Sequence, residues 1–148
     1  MALYYLETSA LVKLYVHEPG TERLLILATA REAHRFAILA LSQVELRSAV
    51  RRRERAADIG KKLAVQILDR FEINLATRFL RQAVSDAVID VASTLIDRHP
   101  LRAYDALQLA GCLVLRSTAS EKPVFICADQ TLLKVAEAEG LALIDPTE

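Results

Sequence analysis

The sequence predicts an α/β protein built on a short, mostly parallel sheet that helices cover on both faces. Short apolar runs typical of strands alternate along the chain with longer segments in which apolar residues recur at helical spacing. The strand runs are almost continuously apolar, as expected for strands that are buried on both sides. No repeat or low-complexity linker divides the 148 residues, so we expect one domain over 1–148.

The first half of the chain contains two predicted strands and four predicted helices. The first strand, at residues 3–6, ends at Glu7, and the hydroxyl residues Thr8 and Ser9 are suited to cap the helix that follows. A charged patch from Arg31 to Arg35 leads into the second strand. The remaining elements are predicted as a helix from residue 21, a strand at 36–40, and helices at 42–60 and 61–71.

The second half begins with an ambiguous segment at 74–83, which permits a short edge strand around Phe79. Ser85 caps a clear amphipathic helix, and His99-Pro100 stops it. The remaining elements are predicted as a helix at 102–117, a strand at 123–128 ahead of Asp129, a helix to about residue 139 and a last strand at 141–144.

Composition narrows the class of protein. Lys plus Arg and Asp plus Glu both number 19, and this zero net charge argues against nucleic-acid binding by bulk attraction while permitting a local basic patch. Cys112 and Cys127 lie inside apolar runs, which favours buried thiols in a reducing compartment. No signal peptide and no membrane-spanning segment is predicted, so we expect a cytoplasmic protein.

Four acids occupy unusual positions. Glu7 and Asp129 each end a predicted strand, Glu45 lies in the first helical turn after the second strand, and Asp105 shares a helical stripe with apolar residues. Ligands of open α/β sheets bind at the carboxyl ends of the strands, and an acid on an apolar stripe is costly unless it is paired or bound to metal. Carboxylate oxygens in such a cluster suit Mg²⁺ or Mn²⁺.

Each acid also has a structural alternative. Glu45 fits a capping box with Ser42, and Asp129 fits an N-cap. Asp105 has Arg102 and Arg116 as candidate partners on its own helix, and Glu7 fits a solvated polar strand end. The four acids form no site only if all four structural alternatives are correct at once. The joint pattern therefore favours a site.

The segments that carry these acids resemble, in order, the four signature segments of PIN-domain proteins. They are YLETSALVKL from Tyr5, SQVEL from Ser42, LRAYDALQLA from Leu101 and CADQTLL from Cys127. The resemblance implies a three-layer α/β/α sandwich with a short parallel sheet, and a metal-dependent endoribonuclease. The commonest small bacterial members are VapC toxins, which implies an RNA substrate, a cognate antitoxin protein and a homodimer.

The resemblance also assigns roles to residues. It gives Glu7, Glu45, Asp105 and Asp129 metal-binding and catalytic roles with Mg²⁺ or Mn²⁺, and Thr8 or Ser9 a supporting hydroxyl role. Asp105 and Glu7 are expected as direct ligands, and Asp129 as a ligand through water. The hydrolysis expected of such a site uses the ion to lower the pKa of a water molecule and to neutralise charge on the phosphate.

One residue departs from the family pattern, which normally has aspartate where this chain has Glu7. The extra methylene moves the carboxylate outward, and a misplacement of about 1 Å can cost on the order of 10²-fold in rate. We expect retained activity. The alternative is a catalytically weak or inactive PIN-like module that binds RNA or a partner protein.

A cluster of arginines follows Glu45 on the same predicted helix. Arg47 and Arg51 are the first candidates for contact with RNA phosphates or with an acidic partner segment. The alternative interpretation is a solvated helix face.

Overall fold

The protein is described here by a computed structural model, which covers residues 1–30 and 34–148. Within these ranges the strands are β1 (Leu3–Leu6), β2 (Arg35–Leu39), β3 (Phe79–Gln82), β4 (Pro123–Ile126) and β5 (Ala142–Ile144). The helices are α1 (Thr8–Lys13), α2 (Thr21–Ala28), α3 (Ser42–Arg55), α4 (Lys61–Thr77), α5 (Asp86–Arg98), α6 (Ala103–Thr118) and α7 (Gln130–Ala138).

The strands form one sheet in the order β3-β2-β1-β4-β5, and every neighbouring pair is parallel. Strand β1 is central, between β2 and β4. The chain moves outward from β1 on one side through β2 and β3, and on the other side through β4 and β5. The strand order therefore reverses between β1 and β4, which is where open α/β sheets place their ligands.

Alternate side chains along the strands pack into two separate hydrophobic cores, one on each face of the sheet. In β1, Leu3 and Tyr5 pack into a core with α5, α6 and α7, whereas Tyr4 and Leu6 pack into a second core with α1 to α4. Period-two alternation sends successive side chains to opposite faces, and both faces here are covered, which explains the unbroken apolar runs. The predicted α/β/α sandwich is confirmed.

Most predicted elements are present, with shifted ends. The edge strand around Phe79 is confirmed as β3, and Ser85 caps α5, since its Oγ accepts a hydrogen bond from the backbone N–H of Val88. Helix α3 ends at Arg55 rather than near Gly60, because Ala57 adopts a left-handed φ of 61° that a helix cannot continue through. Helix α4 runs six residues past its predicted end at 71, to Thr77.

Three further predictions concern the cysteines, the charged patch and membrane-spanning segments. Both cysteines are buried and free of disulfides, as predicted. Residues 31–33 of the predicted charged patch lie outside the described residues. Within the described ranges, no helix is long and apolar enough to cross a membrane.

Helix α6 lies unusually close to β1 at Gly111. A Cβ atom built on Gly111 would collide with the hydroxyl of Tyr5 and would come within 2.8 Å of Leu39 Cδ1. Tyr5 is fully buried and stacks on Phe125, so its ring has no room to yield. The close approach of α6 to the central strand therefore requires glycine at this position.

We expect Gly111→Ser to lower the free energy of unfolding by about 1–3 kcal/mol through overpacking. The matched control is Gly60→Ser, because Gly60 precedes α4 in open space and serine is a preferred N-cap. Urea denaturation measures both variants. A Gly111→Ser protein as stable as Gly60→Ser would contradict the close contact.

Candidate active site

Glu7 ends the central strand and is the N-cap of α1. Only 6% of its surface is exposed. Its Oε2 accepts hydrogen bonds from the backbone N–H of Ser9, at 2.9 Å, and from the Ser9 hydroxyl. The predicted alternative of a solvated strand end is therefore wrong, and Glu7 caps the helix rather than Thr8 or Ser9.

The burial of Glu7 sets its electrostatics. Desolvation raises the pKa of this carboxyl, the two hydrogen bonds from Ser9 oppose the rise, and the nearby charge of Glu45 adds to it. The same Ser9 hydroxyl accepts a hydrogen bond from the backbone N–H of Ala128, at 2.9 Å. Ser9 thus joins the first acid to the segment that follows β4.

Glu45 lies on the first turn of α3 and faces two other segments. Its Oε1 accepts hydrogen bonds from the Thr8 hydroxyl at 2.8 Å and from the Gln108 amide at 2.7 Å. The predicted capping box is absent, because the N-cap of α3 is Leu41 and makes no side-chain capping bond. Glu45 is therefore held by tertiary contacts rather than by its own helix.

Gln108 was not singled out by the sequence analysis as a site residue. It is 1% exposed, and its amide nitrogen also lies 3.0 Å from the hydroxyl oxygens of both Thr8 and Ser42. The available signal was a polar side chain inside an apolar helix, three residues after Asp105. Such a residue is costly to bury without partners, and its partners here are the site itself.

The side chains of Asp105 and Asp129 have fewer partners than those of Glu7 and Glu45. The Asp105 side chain is 26% exposed and lies 3.5 Å from Arg102 Nε, but the Arg102 side chain is 87% exposed, so this ion pair contributes little. Asp129 is the N-cap of α7, and its Oδ1 accepts a hydrogen bond from the backbone N–H of Leu132 at 3.0 Å. The predicted capping alternative is thus present at Asp129.

The structure brings Glu7 and Glu45 together with Thr8 and Ser9, but it does not gather all four acids around one point. Among the residues described, no three carboxylate, imidazole or thiol groups are close enough to share a metal ion. Mg²⁺ is usually held by one or two carboxylates together with water and substrate phosphates. The donor chemistry fits that mode, because Oε2 of Glu45 accepts no hydrogen bond from any described residue.

A cavity of about 860 Å³ opens beside Glu45 and runs along α3. Thr8, Ser9 and Glu45 line it together with three cationic residues and two further acids, Glu18 and Asp58. The cationic residues that line it are Lys13, Arg52 and Arg53. Cationic side chains in the same cavity as Glu45 suit the binding of a polyanion.

The cations of this cavity differ in how they are held. Lys13 and Arg53 both pair with Glu18, whereas Arg52 has no ion-pair partner in the described part of the chain. The two arginines chosen from the sequence, Arg47 and Arg51, are not among the described residues that line the cavity. The Arg51 guanidinium pairs instead with Glu54 at 2.8 Å.

Tyr104 is a further lining residue that the sequence analysis missed. It precedes Asp105 at the start of α6, and 63% of its surface is exposed. An exposed ring beside a carboxylate site offers a face on which a nucleic-acid base can stack. Its signal in the sequence was weak, because a single tyrosine in a helix usually indicates packing.

Comparisons with known proteins agree on the family. A sequence profile of the PIN domain matches residues 4–145. A ribonuclease of Mycobacterium tuberculosis, VapC35, is 33% identical over 144 residues, which cover 97% of each chain.

Solved structures show the same fold at lower identity. VapBC2 of Rickettsia felis, bound to a DNA fragment from its promoter, superposes with a TM-score of 0.66 at 17% identity, covering 96% of this chain and 97% of that one. A toxin–antitoxin complex from Klebsiella pneumoniae gives a TM-score of 0.67 at 16% identity, covering 98% of each chain.

The raised pKa of the Glu7 carboxyl predicts how the folding stability of the protein depends on pH. A carboxyl whose pKa is raised in the folded state stabilises the fold below its ordinary pKa, here 4.5, and loses that contribution as the pH rises through the folded value. Gln at this position keeps an oxygen for Ser9 but does not ionise. We therefore expect the stability of the unaltered protein to fall relative to Glu7→Gln as the pH rises above about 4.5. Urea denaturation across this range tests it, and a pH-independent difference between the two proteins would contradict it.

Proposed function

This chain belongs to the PIN-domain family, and on that premise we propose that it is an endoribonuclease that hydrolyses RNA phosphodiester bonds as the toxin of a toxin–antitoxin pair. The observation that carries the proposal is the cavity beside α3, which brings the Glu45 carboxylate and the guanidinium of Arg52 into one cleft. The similarity to a ribonuclease over nearly the whole chain supports the same activity.

We propose that the site uses Mg²⁺ or Mn²⁺. Asp105 and Glu7 would hold the ion directly together with Glu45, and Asp129 would act through water. When bound, the ion supplies an acidified water molecule and charge neutralisation at the phosphate. In support of this assignment, Thr8 and Gln108 donate hydrogen bonds to Oε1 of Glu45, and Oε2 accepts none from the described residues.

The remaining residues of the cavity bind the substrate in this proposal. Arg52 and Arg53 contact RNA phosphates, and Tyr104 offers its ring to an unstacked base. Arg47 and Arg51 stay candidates for RNA or partner contact from outside the cavity. Because Arg53 is already paired with Glu18, Arg52 is the cation most available to a phosphate.

The partners are proposed from the relatives. Solved structures similar to this chain include a toxin–antitoxin complex, so we propose a cognate antitoxin protein. The homodimer is proposed from the family alone. Two buried, unlinked thiols agree with a reducing, cytoplasmic setting.

The first test is cleavage of total RNA with Mg²⁺ or Mn²⁺ and with an EDTA control. We expect metal-dependent cutting that Asp105→Asn lowers by more than the roughly 10- to 100-fold typical of residues behind the ligands. Asp97→Asn, on an exposed position of α5, is the matched control and should cut normally. Absence of metal-dependent cutting by the unaltered protein would favour the PIN-like binding module instead.

A second test separates the arginines of α3. We expect Arg52→Ala to weaken RNA binding and to reduce the slope of log affinity against log salt by about 0.7, the value for one lost phosphate contact on a single strand. Arg47→Ala removes an exposed arginine of the same helix outside the cavity lining and should change the slope less. Fluorescence anisotropy with a labelled oligoribonucleotide measures both. A larger effect at Arg47 would place the RNA on the other face of α3.

A further inference from the structure

We infer that Gln108 is a positioning residue that holds the Glu45 carboxylate in the orientation in which it binds the catalytic cation. The inference rests on the proposed ribonuclease function and deepens it. It assigns to Gln108 no contact with the substrate or with the reacting atoms.

The hydrogen bonds around Gln108 define which way its amide faces. An ionised carboxylate only accepts hydrogen bonds, so the group 2.7 Å from Glu45 Oε1 is the amide nitrogen rather than the amide oxygen. The same nitrogen lies 3.0 Å from the hydroxyl oxygens of Thr8 and Ser42. One amide therefore ties together the starts of α1 and α3 and the carboxylate of Glu45.

The other end of the amide shows that packing alone does not account for glutamine here. Oε1 of Gln108 is buried and has no hydrogen-bond partner in the described structure. An unsatisfied buried acceptor is destabilising, whereas an apolar side chain of the same shape carries no such penalty. The presence of an amide at position 108 is explained by the hydrogen bond that its nitrogen donates to Glu45.

A neutral donor is suited to this task. Lysine or arginine at position 108 would place a positive charge against Glu45 and would compete with a metal cation for it. The glutamine amide holds Oε1 without neutralising the carboxylate, and Oε2 accepts nothing from the described residues. One oxygen is thus fixed while the other stays available to a cation.

The position of Gln108 also links two acids. It lies three residues after Asp105 on α6, so the two side chains share one side of the helix. The rigid helix therefore carries Asp105 directly and locates Glu45 through Gln108.

The test measures Mn²⁺ binding by isothermal titration calorimetry, without substrate. We expect Gln108→Met, which keeps the volume but removes the donor, to weaken Mn²⁺ binding about 10- to 100-fold, as residues behind metal ligands do. In a Glu45→Gln background, Gln108→Met should cause no further loss, since its effect passes through Glu45. Asn74→Leu removes another side-chain amide donor, to Tyr15, and should leave Mn²⁺ binding unchanged.

Thermal unfolding shows whether each variant is folded, and Gln108→Asn, which retracts the amide by one methylene, replaces Gln108→Met if that variant is not. Normal Mn²⁺ binding by the folded variant would overturn the inference, as would losses that add in the double variant. If the unaltered protein binds no Mn²⁺ and cuts no RNA, the proposed function itself fails. Metal binding and cleavage that persist without Gln108 would instead overturn the positioning role alone.

Discussion

The carboxylate of Glu7 is buried at the end of the central strand, and the surrounding structure is arranged to compensate its loss of hydration. A desolvated carboxylate needs donors, and here they come from Ser9 at the start of α1. Ser9 in turn accepts a hydrogen bond from the chain beyond β4. The need to satisfy one acid therefore sets where α1 begins and ties it to the segment that leads to Asp129.

A polar cluster near this acid joins α6 to the starts of α1 and α3, and α6 also makes a close approach to β1. Gly111 permits that approach by leaving room for the hydroxyl of Tyr5. One turn earlier on the same helix, Gln108 reaches Thr8, Ser42 and Glu45. Beneath them burial raises the pKa of Tyr5, helped by the charges of Glu7 and Glu45, so the phenol stays neutral under the acids.

The fold and the placement of the acids on their segments follow from the sequence, because apolar runs and helix caps are local signals. The direction of each carboxylate does not follow, since it depends on segments distant in the chain. Glu7 turns towards Ser9, whose backbone N–H and hydroxyl both donate to Oε2. Glu45 is engaged by Gln108, which is 63 residues away along the chain.

The arginines of α3 differ in which of them face the cavity. Consecutive residues on a helix point about 100° apart, and only the neighbouring segments decide which of them face a cavity. Here the side of α3 that begins with Glu45 continues to Arg52 and Arg53. Arg47 and Arg51 lie on other sides. Helical periodicity counted from Glu45 distinguishes the two pairs, because Arg52 follows Glu45 by about two full turns, whereas Arg47 and Arg51 fall on the opposite side.

The central strand, β1, pairs with β4, which lies more than a hundred residues later in the chain. Synthesis from the ribosome delivers β1, β2 and β3 first, so a nascent chain lacks the strand that completes the cleft beside Glu7. Long-range parallel pairing of this kind also forms slowly, because a large loop must close first. The link from Glu7 through Ser9 to Ala128 therefore forms only once β4 has joined the sheet, and a chain cut short before β4 would hold Glu7 and Glu45 without Asp129.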